Sequence, residues 1–497
     1  MRRAWLGSVA LASLAAAACG GDPFTTGPGD GTDAGVAEGG ADAQVTDSSR
    51  ERDSRAESSV DASVDASMDS SMDSSADAGD GGQITDAGTV GSITGTVIDD
   101  LLVPIAGVQV HIGAQTATTA TDGSFTISGV AAPYDAIIVT PGANGHGHGY
   151  VFQQLTRVDP TLQLPLEPLR DGKTTTVQGG IAASAGVAFV DVGPRPTHAD
   201  WTALSVGSPF SLSASWTGSA SLAATGYLLE WSIAATTATL PTTYLWFASQ
   251  PLQIADGQTE TWPAVVPGAT PNVSTASLVT SITYPAVRVI SDVWCFYRPA
   301  ASAVVAPELF NDKTAKTGNP ASTQYRVPDV PASGNTLVVC ARAGGGATGP
   351  RGSTMTCQAG LSPTAGSVNL ALPSVPLLTS APATGVTTST AFTWTAPAAA
   401  VHMAAFSSTA AGAPTFAVIT TASTAHIPDL SAYGLALPQQ TSYSVVVTEA
   451  VLPSLVGVDD AVGPGGFATM GATILQGRGP IAGGSVLITE TATFSTQ

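Results

Sequence analysis

The sequence predicts an all-β protein of tandem β-sandwich domains, preceded by a signal peptide and a disordered acidic tether. Three observations carry this. From about residue 91 the 497-residue chain is rich in Thr, Val, Ala, Ser, Gly and Pro and poor in charge. Its apolar residues alternate over short runs broken by turn residues, the pattern of half-buried strands. No stretch keeps a 3.6-residue period over three turns, as an amphipathic helix would. The roughly 400 residues from 91 onward are too many for one core and suit about four domains of about 100 residues each.

The first element is the N-terminal segment. Met1, Arg2 and Arg3 form a basic start, residues 4–14 an apolar run, and Ala16, Ala17, Ala18 and Cys19 a small-residue cleavage site. The apolar run falls short of the ~20 residues a spanning helix needs. This order resembles a bacterial lipoprotein signal. The resemblance implies removal of residues 1–18, acylation of Cys19 by palmitate-type chains, and an exported protein held at the membrane by its lipid. Ala16 stands where that family prefers Leu. Gly20 replaces the Asp that in that family often marks inner-membrane retention, which points to the outer membrane or cell surface.

Residues 19–90 form the second element. From Asp22 to Asp86 the composition is Asp, Ser, Ala and Gly, with a four-residue repeat around Asp61, Asp65, Asp69 and Asp73. Such a chain cannot bury enough apolar surface to offset its conformational entropy, and disorder is expected. It holds sixteen acidic residues and three arginines, −13 of the chain's −20. The acidity therefore belongs to the tether and not to a binding face. A flexible chain of about 70 residues spans roughly 45 Å, enough to hold a folded body clear of the headgroups.

Residues 91–166 begin the folded part. Ile93 and Val97 alternate with Ser92, Thr94 and Thr96; Val108, Val110 and Ile112 follow Pro104. Asp122-Gly123 separates residues 116–121 from Phe125 and Ile127, which predicts a tight two-residue hairpin. Residues 136–139 supply another strand. The order Gly-x-Val, Pro-Ile-x-Gly-Val-x-Val, Thr-Asp-Gly-x-Phe-x-Ile resembles the carboxypeptidase regulatory-like domain, a transthyretin-like sandwich of the carbohydrate-binding-like fold group. The resemblance implies a non-catalytic accessory or spacer module and admits carbohydrate as ligand. Tyr134, Tyr150 and Phe152, near a predicted loop at 141–149, are the candidate sugar platform, with core packing as the alternative.

Residues 167–275 and 276–372 read as two further sandwich modules. Asp171-Gly172-Lys173-Thr174-Thr175-Thr176 and Asp256-Gly257-Gln258-Thr259-Glu260-Thr261 partly match at a spacing near one sandwich, which predicts two modules with similar junctions. Tyr227, Trp231, Tyr244 and Trp246 mark core strands of the first; Trp294, Cys295, Val339 and Cys340 mark those of the second. In residues 373–497, Phe392-Thr393-Trp394 followed by Pro397, and Leu437 followed by Tyr443 and Val445, resemble strand B and the tyrosine corner of a fibronectin type III domain. Residues 401–406, 416–419 and 484–489 supply further strands, and 450–466 a long loop.

With Cys19 assigned to lipid, Cys295, Cys340 and Cys357 remain as disulfide candidates in an oxidising compartment. Cys340 with Cys357 across a hairpin is the favoured pair and Cys295 with Cys340 the rival. His146 and His148, two apart on a Gly-flanked segment, could face one metal ion with His111 as a third ligand; a solvent-exposed loop is the alternative. No cofactor is expected. The chain lacks a Gly-x-Ser-x-Gly elbow, a His-Glu-x-x-His pair, a phosphate-cradling glycine loop and a dinucleotide fingerprint. Three lysines and a net negative charge argue against nucleic acid as a partner. The expectation is a non-catalytic surface lipoprotein presenting the loops at 141–149, 343–353 and 450–466 to a glycan or a surface protein, or for adhesion. The rival is an exported hydrolase, or its accessory subunit, with a catalytic group within 167–372.

Overall fold

The computed structural model describes residues 89–99, 103–141, 147–165, 172–180, 187–193, 198–199, 202–205, 209–217, 220–232, 240–262, 272–285, 288–298, 308–329, 336–345, 352–396, 400–464, 466–467 and 483–497. Residues 1–88, with Cys19, the expected signal peptide and most of the expected tether, lie outside them, as does His146. The described chain is nearly all β and forms four sandwich modules.

Module one comprises β1 (Thr89–Asp99), β2 (Gln109–Ile112), β3 (Gln115–Thr118), β4 (Ser124–Ala131), β5 (Tyr134–Thr140), β6 (His148–Leu155) and β7 (Thr161–Leu164). One sheet runs β4-β1-β7, and β3-β2-β5-β6 belong to the other. The period-2 pattern decides the faces: Ile93 and Val97, with their register partners Ile127 and Leu162, are buried, while Thr94 and Thr126 point outward. The expected hairpin at Asp122-Gly123 is not one. β3 pairs with β2 and β4 with β1, so the dipeptide turns a corner between two sheets. Gly123 sits at φ +75°, and the Asp122 carboxylate accepts from the Ser124 backbone N–H at 3.0 Å, which closes a local Asx turn.

Module two comprises β8 (Gly172–Gly180), β9 (Val187–Gly193), β10 (His198–Ala199), β11 (Thr202–Ser205), β12 (Pro209–Thr217), β13 (Ser221–Ser232), β14 (Thr243–Ala255) and β15 (Thr259–Thr261). Its sheets are β10-β12-β8-β15 and β11-β9-β13-β14, around Phe210, Leu212, Trp216, Leu228, Ile254 and Trp262. Both halves of the recurring Asp-Gly motif fall inside this one module, as its first and last strands. β8 and β15 pair in parallel, Thr176 opposite Thr259. Asp256 accepts from the Thr174 N–H at 3.0 Å and lies 3.5 Å from the Lys173 ammonium. The recurrence thus marks strand partners and not module junctions.

Module three comprises β16 (Ser274–Thr283), β17 (Arg288–Arg298), β18 (Glu308–Asp312), β19 (Ala321–Asp329), β20 (Thr336–Gly345), β21 (Ser353–Leu361) and β22 (Ser367–Ala371). β19-β16-β22 form one sheet and β18-β17-β20-β21 face it. Because β16 starts at Ser274, the division expected after residue 275 falls inside a strand and moves upstream.

Module four comprises β23 (Leu378–Ser380), β24 (Ala391–Trp394), β25 (Val401–Ser407), β26 (Thr415–Thr420), β27 (Thr424–His426), β28 (Ser442–Val451), β29 (Gly484–Ile488) and β30 (Ala492–Ser495). β23-β24-β27 cover β26-β25-β28, and β29 and β30 both pair with β28. The Tyr443 hydroxyl donates to the Pro414 carbonyl at 3.0 Å, so the tyrosine reaches the turn before β26 and not its own corner.

Modules one, three and four are not separate beads. β6 of module one lies parallel to β26, and β21 of module three lies antiparallel to β29. One 13-stranded sheet results, with module four in its middle. Val401, Met403, Ala417 and Ile419 of module four share a core with Ile138, Tyr150 and Phe152 of module one and with Phe296 and Met355 of module three.

Candidate functional site

The residues singled out in the sequence mostly meet at these joints. Gly147 and Gly149 flank His148 at the start of β6, and Thr415 N donates to the Gly147 carbonyl at 2.9 Å. A methyl group on Gly147 would overlap Leu435. On Gly149 it would overlap Leu430 and press on Leu435 at 3.2 Å. These glycines therefore let the backbone of module one close against module four. His148 is half-buried, edge-on to Tyr150 with ring centroids 6.4 Å apart.

His111 does not join it. The two imidazoles stand on opposite faces of the sheet, because His111 shares a row with Ile137 and Val151 while His148 has the opposite parity. They are also two strands and three residues apart, about 14 Å. His111 packs instead on Tyr433 at 4.1 Å between centroids, with Nδ1 2.8 Å from the Thr116 hydroxyl, and burial lowers its pKa. Among the described residues no group of three or more His, Cys, Asp or Glu converges as metal ligands.

Tyr134, Tyr150 and Phe152 are buried in the shared core. Their rings pack the core and form no exposed sugar platform: Tyr134 spends its hydroxyl on the Arg157 carbonyl, and the other two point inward by strand alternation.

The expected loop at 450–466 is likewise a joint. It carries a short helix, α1 (Val458–Ala461), and buries Leu452, Leu455, Val458 and Val462 in the shared core, with Phe467 just after it. Asp459 accepts from the Thr156 N–H at 2.9 Å, from the Thr156 hydroxyl and from the Arg157 N–H at 3.2 Å, tying α1 to module one. Val456, 73 % exposed, is the large apolar side chain that the segment leaves outside, beside the exposed Pro453 and Ser454. Of the 343–353 loop, residues 346–351 lie outside the described residues.

Cys340 and Cys357 stand opposite each other on β20 and β21, with Cα atoms 4.0 Å apart, and form a disulfide. The rival pair fails on strand alternation. Cys295 points into module three with Val293 and Tyr297, whereas Cys340, opposite Trp294, points out of the other face. Burial, with the Glu308 carboxylate adding to it, pushes the Cys295 thiol well above its ordinary range, so it is no thiolate nucleophile.

One cluster escaped the sequence: Trp394, His402 and Glu449, all buried in module four. His402 Nδ1 and Glu449 Oε1 are 3.5 Å apart, and the Trp394 ring stands edge-on to the imidazole at 5.5 Å. Burial raises the Glu449 carboxyl to about 8 and lowers His402 to about 4. The available signal was parity: His402 shares the inward phase of Ala404 and Phe406, and Glu449 that of Val445 and Val447.

No protein-family model matches the chain, and no curated protein does. Three solved structures resemble it slightly. The Bacillus anthracis TIE protein is 9% identical at a TM-score of 0.13, over 57% of this chain and 50% of that one, so the chain spans half its length. The major pilin subunit of Bacillus cereus is 10% identical at 0.12, over 56% and 98%. A DUF3823 family protein from Parabacteroides merdae is 9% identical at 0.11, over 35% and 92%.

Proposed function

We propose that the chain is a non-catalytic surface lipoprotein: Cys19 carries the lipid, the acidic tether sets the distance, and the fused sandwiches form a rigid body that contacts another surface protein or spaces and adheres. The 13-stranded sheet carries this reading, because it makes one continuous unit of strands from three modules. Burial of Tyr134, Tyr150 and Phe152 takes away the sugar platform of module one and favours a protein partner over a glycan. Modules two and three have largely apolar cores, and of the carboxylates buried there Asp292 is held by Arg342 and Asp312 by Lys316 and Tyr325, which supports a structural use over a hydrolase with its active site in 167–372. The acidic stretch, −13 of −20, fits a solvated spacer.

Mass spectrometry of the mature N-terminus in membrane fractions tests the anchor. An acylated Cys19 is expected; a free terminus elsewhere makes the protein a secreted one. Pull-down from intact cells and a glycan array with the body from residue 89 onward then test the partner. Glycan binding without protein capture would reverse the preference.

A further inference from the structure

Three strands of module four, two adjacent in one sheet and one in the sheet that faces it, bring unpartnered polar atoms into one buried spot. Trp394 lies on β24, His402 on β25 and Glu449 on β28, with His402 and Glu449 in direct register. Trp394 Nε1, His402 Nδ1 and both Glu449 carboxyl oxygens are buried without a hydrogen bond. His402 is 1 % exposed and Glu449 0 %. Among the described residues no ion pair to either of them is formed by a further charged group. β24, β25, β26, β28, β29 and the facing β23 carry no further Asp, Glu, Lys, Arg or His. Tyr443 spends its hydroxyl on Pro414 far along β28, and His426 and Glu490 are exposed.

We propose that this cluster is a pH-sensitive catch on the strand that joins module four to module three. While Glu449 keeps its proton beside a neutral His402, β28 and β29 stay paired; when that proton leaves, the carboxylate is stranded in an apolar core and the pairing opens. The place is suited to it. Glu449 stands directly opposite Leu487 of β29, and β29 is the strand that pairs with β21 of module three. The ladder changes beside it: β29 ends at Ile488, and at the next position Thr489 N donates to the Val447 carbonyl at 2.9 Å while Val447 N donates to the Thr489 hydroxyl, not its carbonyl, at 2.9 Å. An unpaired buried charge is not tolerated at such a seam without local opening or water entry.

The direction follows from linkage. Glu449 is raised on folding, so its contribution is fully present below its unfolded pKa and is lost as pH climbs through about 8. His402 is lowered, so protonation of the unfolded chain works against the fold as pH drops from the ordinary His range toward about 4. The seam is therefore tightest under mildly acidic conditions. The catch does not depend on what the body binds.

Amide hydrogen exchange on the full chain tests it, read as protection factors for β28 and β29 against β8 and β12 as the internal reference. Between about pH 6 and about pH 8.5 the seam should lose about tenfold or more in protection relative to the reference, and Glu449→Gln should abolish that loss. An equal loss in Glu449→Gln, or none in the unaltered chain, overturns the proposal. If Glu449→Gln does not fold, infrared difference spectra of the unaltered chain decide. A protonated carboxylic acid band at about pH 6 that disappears by about pH 8.5 supports the catch, and its absence at about pH 6 overturns it.

Discussion

Gly149 shows how much a single residue can hide. In sequence, a Gly-flanked histidine pair reads as a mobile loop or a metal site, because glycine is judged by the freedom it gives its own backbone. In the fold the missing side chain matters more than the freedom: Leu430, Leu435 and Phe416 fill the space that a Cβ would take. These partners lie more than 260 residues downstream, so no local pattern announces them. Gly149→Val should destabilise the folded body by about 1–3 kcal/mol through overpacking, with a lower denaturant midpoint and an unchanged m-value. A midpoint equal to that of the unaltered chain would mean that β6 and β26 do not meet this closely. The aromatic rings teach the converse. Tyr150 and Phe152 sit near a loop in sequence, yet alternation along β6 had already placed them on the apolar side.

At the scale of elements, strand identity was legible wherever apolar and polar residues alternate. Ile93 and Val97, Ala136 and Ile138, and Val445 and Val447 all face inward as their phase requires. Partner choice was not. Asp122-Gly123 has the chemistry of a hairpin, but its flanking strands go to different sheets, and turn residues cannot report which edge a strand joins. The cysteines lie between these cases. Alternation separates Cys295 from Cys340, while only the β20–β21 register brings Cys340 to Cys357. That bridge closes a 17-residue separation, and the loop-entropy model assigns about 3 kcal/mol to a loop of that order. Reduction, or Cys340→Ser with Cys357→Ser, should lower stability by about that amount in chemical denaturation. Because both sulfurs lie in the core shared with module one, the loss should appear in a probe of module one as well as in module three.

For the whole molecule, the all-β sandwich class followed from composition and alternation, but the fusion of modules did not, since nothing local tells a chain that its first and last modules will share a sheet. The fusion has a mechanical consequence. Removing module one would bare the parallel edge of β26 and, behind it, Val401, Met403, Ala417 and Ile419, which are buried now. An uncovered edge over an apolar face is a template for association. A chain starting at residue 167 should therefore self-associate or aggregate in size-exclusion chromatography and unfold at lower temperature. Deleting residues 20–88 should leave both properties as they are, because that acidic stretch cannot contribute a core. If the chain from residue 167 stays monomeric and keeps its melting temperature, module one is an independent bead and the sheet does not continue from β26 into β6.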